Sequence, residues 1–325
     1  MESKKLIVTA SPHITNHTST RGLMLNVCIA LLPALVASTL IFGARALLVT
    51  GVTVAACVGF EALYCVVMKK PVPVGDFSAV VTGMILAFNL PATIPLWIAI
   101  IGAFVAIVVA KQLFGGLGFN FANPALLGRI VLFIGFAGRM TAYAFPQTDI
   151  DALASATPLV AGNSMAGKDM LLQLLLGAHG GVLGETCAVA LILGGIYLIA
   201  TKTISAAIPL SYIGTVAVLS LVLGQDVVLQ LFSGGLLLGA FFMATDYVTS
   251  PVSKWGKVVM GIGCAVILFV IRAYNNSYPE GCSFAILFMN VLTPLIDKWT
   301  MPRTFGAVKP AKAKKSEAKQ GGAKA

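Results

Sequence analysis

The sequence predicts an all-α membrane protein of about ten transmembrane helices in two inverted five-helix repeats. Three observations carry that prediction: a composition too apolar for water, a succession of apolar runs of spanning length, and two halves whose segments echo one another. Hydrophobic residues make up 58% of the 325, and charged residues only 10%, against about 25% in a soluble globular domain. A chain so poor in charge cannot cover its own surface in water. The length would allow two soluble domains, but the apolar runs exclude them.

The spans lie where roughly 20 apolar residues run without an unpaired charge. The first covers residues 23–42 and the second 46–68. Residues 77–90 form a short third, interrupted by the turn Asn89-Leu90-Pro91. The fourth covers 95–114 and the fifth 124–143, before a polar stretch over 146–181. Five more follow at 182–200, 206–223, 227–244, 258–273 and 284–299. The first apolar run begins at Leu23 after a polar segment and is long enough to span, so no cleavable signal peptide is read there. The chain thus divides into an N-terminal segment (1–22), a first membrane repeat (23–144), a loop (145–181), a second membrane repeat (182–300) and a Lys-rich tail (301–325).

Orientation follows from Lys and Arg. With the N-terminus inside, seventeen fall on the inner side and four, Arg45, Arg139, Lys168 and Arg272, on the outer. Lys111 is counted among the inner set, and Arg129 falls within the fifth span. Both termini are therefore expected in the cytoplasm, with the 146–181 loop extracytoplasmic. The net charge of +10 owes half its value to the tail, which holds six lysines and one glutamate from Lys309 onward. That distribution fits a solvated tail beside anionic membrane lipid, and no nucleic-acid partner is expected.

The two halves look related. The segment from Asp76 to Pro91 resembles that from Asp226 to Pro251, and Asn123-Pro124-Ala125 with Arg129 resembles the stretch from Phe284 to Asn290. An odd number of spans per half gives the repeats opposite topology, which places a site at their interface, built partly from broken helices. The Gly-rich stretch before Asn123 and Pro124 fits such a break. Asn123 is a good N-cap and Pro124 suits the first helical position. A helix start at membrane depth offers N–H groups and a positive dipole end to an anion; an ordinary loop before a helix is the alternative.

Few residues could carry chemistry. His13, His17 and His179 lie outside the spans, so facing histidine pairs for an intramembrane haem are excluded. No zinc spacing, phosphate-binding loop or serine-hydrolase elbow is present. The six cysteines form no C-x-x-C pair and read as small packing residues; a shared iron-sulfur site completed by another subunit is the other possibility. Glu61, Arg129, Glu185 and Asp246 are ionisable residues in or beside spans, where function is the default hypothesis. Glu61 and Glu185 fall where an interface could wet them. The loop segment Asp151-Ala-Leu-Ala-Ser155-Ala156-Thr157-Pro158 is by itself only a run of small residues before a turn.

Four features together make a more specific pattern. Ser11-Pro12-His13 leads through Met24-Leu25-Asn26-Val27 into Leu32-Pro33-Ala34. Gly75-Asp76-Phe77-Ser78 precedes Val81-Thr82-Gly83, with Leu90-Pro91 beyond. Phe121-Ala122-Asn123-Pro124-Ala125 carries Gly128-Arg129, and Ser155-Ala156-Thr157-Pro158-Leu159 completes the set. In these the chain resembles the RnfD/NqrB family of membrane flavoprotein subunits, closest to RnfD in its short N-terminal segment. The resemblance covers nearly everything except the Lys-rich tail.

The resemblance implies FMN held covalently by Thr157 through a phosphoester, installed by a dedicated flavin transferase that reads Asp151, Ser155 and Ala156 around it. Ala154 departs from the family's acceptor pattern, which has a hydroxyl residue three before the threonine. The resemblance further implies a noncovalent riboflavin at the repeat interface, which would draw on Asn123 and Arg129. It implies the other subunits of an Rnf-type complex, ferredoxin:NAD⁺ oxidoreductase activity coupled to Na⁺ or H⁺ movement, no activity of the chain alone, and a place in the bacterial inner membrane. Inverted five-helix repeats also build secondary transporters and urea-transporter-like solute channels. The acceptor loop separates the two, since a plain channel has no use for it.

Overall fold

The computed structural model describes residues 19–143, 170–177, 179–274 and 281–302. Among the described residues every extended element is helical, and the one β-type contact is an isolated bridge at Gly181.

The first half opens with α1 (Thr20–Phe42) and α2 (Ala44–Val67). The Ser19 hydroxyl accepts from the Gly22 N–H at 3.1 Å and starts α1. Gly43, at φ 74°, turns the chain straight into α2. Along α1 the large aliphatic residues Leu25, Ile29, Leu32, Val36 and Leu40 are exposed, while Ala30, Ala34 and Ser38 are buried. Small residues among the buried ones, beside Leu31 and Phe42, allow the close backbone approach that drives helix packing in lipid. Next come α3 (Ser78–Phe88), α4 (Leu96–Phe104) running on as a π-helical segment Val105–Gln112, and α5 (Pro124–Gly135).

The second half holds α6 (Ala188–Ala200), α7 (Ala207–Val222), α8 (Val227–Phe232), α9 (Leu236–Leu238, continuing as a π-helical segment Gly239–Met243), α10 (Lys254–Tyr274) and α11 (Cys282–Thr300). Neighbours repeat between the halves: α2 packs on α4 as α7 packs on α10, and α4 with its π segment meets α5 as α10 meets α11. The halves join through α1 against α6 and α5 against α11. At the first joint the approach is so close that a side-chain carbon on Gly194 would collide with the Ala30 carbonyl oxygen.

Three helices among the described residues are long and apolar enough to cross a bilayer: Thr20–Phe42, Ala44–Val67 and Lys254–Tyr274. Five more apolar helices have 10–17 residues, and α11, with Asp297 and Lys298 near its end, is less apolar. Among the described residues, three of the expected spans are thus matched by helices long and apolar enough to cross, and the others coincide with shorter, broken or less apolar helices. The third expected span is α3, whose 11 residues rise only about 17 Å, roughly half a hydrocarbon core of ~30 Å.

Other boundaries differ for local reasons. The fifth expected span ends early, because Phe136 at φ −134° and ψ 41° leaves the helix. The sixth begins at Ala188 instead of 182, because Leu183 and Gly184 donate backbone N–H groups to Leu90 and Phe88 at 3.0 and 2.8 Å, holding 181–187 as a loop against the end of α3. The eighth is broken at Ser233–Gly235, where Gly234 takes φ 67°.

Candidate functional site

A partly open cavity lies between the halves. Its first-half wall comes from α1 (Met24, Val27), α3 (Ser78, Val81, Thr82, Ile85), Lys111 and the segment before α5. Phe241, Phe242, Thr245 and Asp246 face it from the second half. Both halves therefore bring a π-helical segment or its immediate continuation to this cavity. Such segments add a residue to a turn and re-aim side chains, frequently at functional sites.

Asn123 stands on the cavity wall and does what its position predicts. Its side-chain oxygen accepts from the Ala125 and Leu126 N–H groups at 3.0 and 3.4 Å, capping α5. Its amide nitrogen donates to the Met243 carbonyl at 3.2 Å, pinning the start of α5 to the π segment of the other half. Asn120, also on the wall, donates to the Ala122 carbonyl at 3.2 Å. The preceding loop turns through Gly115, Gly116 and Gly118, all at positive φ.

Arg129 lies elsewhere. It is buried, and its Nη1 donates to the Asn89 side-chain oxygen at 2.6 Å and the Ser283 hydroxyl at 2.9 Å. Its Nη2 is 3.8 Å from Glu185 Oε1. The guanidinium thus gathers the end of α3, the start of α11 and the loop before α6 into one cluster. It does not line the cavity with Asn123, so the structure separates two residues expected to act together. Six positions along α5 amount to a rise of about 9 Å.

The basic residue on the cavity wall is Lys111 in place of Arg129, and its pairing with Glu61 is not marked in the sequence. Lys111 ends the π segment, buried, with its Nζ 2.6 Å from Glu61 Oε1 on α2 and 2.6 Å from the Ser78 hydroxyl. Gln112 donates to the same Glu61 oxygen at 2.8 Å, while Glu61 Oε2 is buried with no hydrogen-bond partner among the described residues. Ser78 in turn donates to Asp76 Oδ1 at 2.6 Å. The sequence signal was a glutamate in the middle of an apolar run, which needs a cation within reach.

Several charges therefore sit differently from expectation. Glu61 and Glu185, placed where an interface could wet them, are 0% and 3% exposed. Lys111, counted on the inner side, is inside the bundle. Arg272, counted as an outer one, is buried and donates to the Gln230 carbonyl, the Gln230 side chain and the Ser233 carbonyl at 2.6, 2.8 and 3.1 Å, satisfying the end of α8. His179 is buried in the loop before α6 with its Nε2 unpartnered among the described residues, and burial lowers its pKa, favouring the neutral ring. Cys282 donates to the Gly235 carbonyl at 3.2 Å and lies 3.4 Å from the Tyr212 hydroxyl. Among the described residues no cluster of His, Cys, Asp or Glu could hold a metal. Asp151, Ser155, Ala156 and Thr157 lie outside the described residues, as do His13 and His17.

Fold and site together define a class: a helical membrane protein with an amphipathic cavity between its halves and buried ion pairs among its helices. The chain belongs to the NQR2, RnfD, RnfE family, whose pattern matches residues 7–306. It is 46% identical over 319 residues to the D-type subunit of the Na⁺-translocating ferredoxin:NAD⁺ oxidoreductase complex of Acetobacterium woodii, covering 97% of this chain and all of that protein. It is 39% identical over 317 residues to the D-type subunit of the proton-translocating ferredoxin:NAD⁺ oxidoreductase complex of Clostridium ljungdahlii, covering 92% of this chain and 96% of the relative. The corresponding subunit of an ion-translocating oxidoreductase complex from Stutzerimonas stutzeri is 39% identical over 329 residues, covering 89% and 93%.

Proposed function

We propose that this chain is the subunit of an Rnf-type ion-translocating ferredoxin:NAD⁺ oxidoreductase complex that carries FMN covalently on Thr157 and passes electrons through it, coupled to Na⁺ or H⁺ movement. The observation that carries the reading is the acceptor sequence from Asp151 to Thr157 within a chain of this family. The covalent bond requires a hydroxyl, which Thr157 offers, and a flavin transferase to install it. Other subunits of the complex supply and remove the electrons, so the chain does not turn over alone. When bound, flavin supplies the one- and two-electron chemistry that side chains lack.

The cavity is the proposed place of a second, noncovalent flavin, riboflavin by resemblance. What supports the reading is an amphipathic wall: Val81, Ile85, Phe241 and Phe242 would offer apolar surface to such a ring, and Ser78, Asn120 and Lys111 polar groups. In this reading Asn123 shapes the cavity wall and Arg129 holds the surrounding helix ends. Two five-helix repeats of opposite direction, both termini in the cytoplasm and the acceptor loop outside, complete the reading, in the bacterial inner membrane. The paired neighbours of the two halves support the repeats, and the bias of Lys and Arg supports the orientation.

The covalent assignment is tested by Thr157→Val expressed in a host that contains the transferase. Valine is nearly isosteric but has no hydroxyl, so the variant inserts at wild-type level and loses the fluorescent band that the denatured wild-type chain shows under ultraviolet light. A variant band as bright as the wild type would contradict the assignment.

A further inference from the structure

We propose that Lys111 is the cation of the cavity wall and that Glu61 sets how much of its charge an occupant feels. The inference rests on the reading of the cavity as a flavin site. It is carried by geometry, beginning with the π-helical segment Val105–Gln112, which ends on Lys111 and Gln112 and aims both at Glu61. Lys111 and Ser78 belong to the cavity wall, whereas Glu61 does not. The ammonium therefore stands between the cavity and its own counter-ion, 2.6 Å from Glu61 Oε1 and 2.6 Å from the Ser78 hydroxyl.

A pair so arranged is neutral as a whole but polarised toward the cavity, positive end first. In a low-dielectric interior that orientation matters, because charges there are weakly screened. An occupant that gains negative charge on reduction is stabilised by the nearer ammonium more than it is opposed by the farther carboxylate. Glu61 tempers the effect, and its hydrogen bond from Gln112 holds it on the far side of Lys111. Asp246 stands on the wall from the other half, its Oδ2 accepting from Thr249 at 3.1 Å, and contributes a charge of opposite sign. No other lysine or arginine forms the cavity wall among the described residues. Lys111 is accordingly a residue that tunes the reduction potential of whatever ring the cavity holds.

The test uses the full chain in lipid nanodiscs in the Thr157→Val background, so that only a noncovalent flavin titrates. Flavin is extracted and quantified, and its midpoint potential is measured by optical redox titration in the parent, in Glu61→Gln and in the double variant Lys111→Met/Glu61→Gln. The double variant removes both charges and leaves no buried carboxylate unpaired, so it keeps the comparison interpretable if Lys111→Met alone fails to fold. Glu61→Gln, which leaves the ammonium uncompensated, shifts the potential upward. The double variant, which removes the nearer positive end, shifts it downward relative to the parent. A merely structural role for the pair would not give shifts of opposite sign. Flavin retained with both shifts absent or of the same sign overturns the inference and leaves the cavity reading standing. A parent protein that yields no noncovalent flavin overturns the cavity reading itself and the inference with it.

Discussion

Arg129 shows what a buried charge does at the scale of one residue. Its guanidinium directs its donors to Asn89 and Ser283 and lies 3.8 Å from Glu185, so replacing it takes a cation away from a carboxylate that is 3% exposed. Removing one partner of a buried ion pair typically costs about 3–5 kcal/mol, whereas removing both is far less damaging. Arg129→Met is therefore expected to lower the unfolding midpoint of the detergent-solubilised chain steeply, and Arg129→Met/Glu185→Gln to recover a large part of the loss. Thermal unfolding of the two variants checks this; additive losses in the double variant would show that the pair is not coupled. The importance of Arg129 was legible in the sequence as a charge inside an apolar run, but its partners were not. They lie 40 and 154 residues away by hydrogen bond, and no local pattern marks such pairings. The same holds for Lys111, which looked like an ordinary span-end lysine because its partner Glu61 is on another helix.

At the scale of elements, caps could be read and breaks inside apolar runs could not. Asn123-Pro124 announces a helix start through the chemistry of its own side chains, and α5 begins there. The π segments Val105–Gln112 and Gly239–Met243 leave no compositional trace, since one extra residue in a turn changes no side chain. The break at 233–235 falls on Ser233-Gly234-Gly235, a turn signal enclosed between apolar stretches, and the late start of α6 depends on two hydrogen bonds to the end of α3. The double duty of Asn123 gives a prediction at this scale. Asn123→Ala loses the cap, about 0.5–2 kcal/mol, together with the tie to the Met243 carbonyl. Asn123→Asp keeps an acceptor for the Ala125 and Leu126 N–H groups but loses the tie. Unfolding midpoints should fall for Ala and fall less for Asp, while noncovalent flavin content falls for both. Equal midpoints for Ala and wild type would mean that the cap contributes nothing.

For the whole molecule the central questions are which way it sits and what it carries. Withdrawing the buried Lys111 and Arg272 from the count leaves sixteen Lys and Arg on the inner side against three on the outer, so the bias keeps its sign and nearly its strength. An alkaline phosphatase fusion at Asn163 should be active and one after Arg303 inactive; the reverse would invert the topology. The all-helical architecture was legible because composition and run length are properties of the whole chain. The unequal helix lengths were not, because residues that pack inside broken helices are as apolar as those that span. What the molecule carries is decided by the intact mass of the purified chain, expressed with the transferase, set beside the mass of its sequence and of Thr157→Val. The wild-type chain is expected to be heavier than its sequence by one phosphoester-linked FMN, and Thr157→Val to match its sequence. A wild-type chain at its bare sequence mass, or a Thr157→Val chain that still carries the addition, would contradict covalent flavin at Thr157.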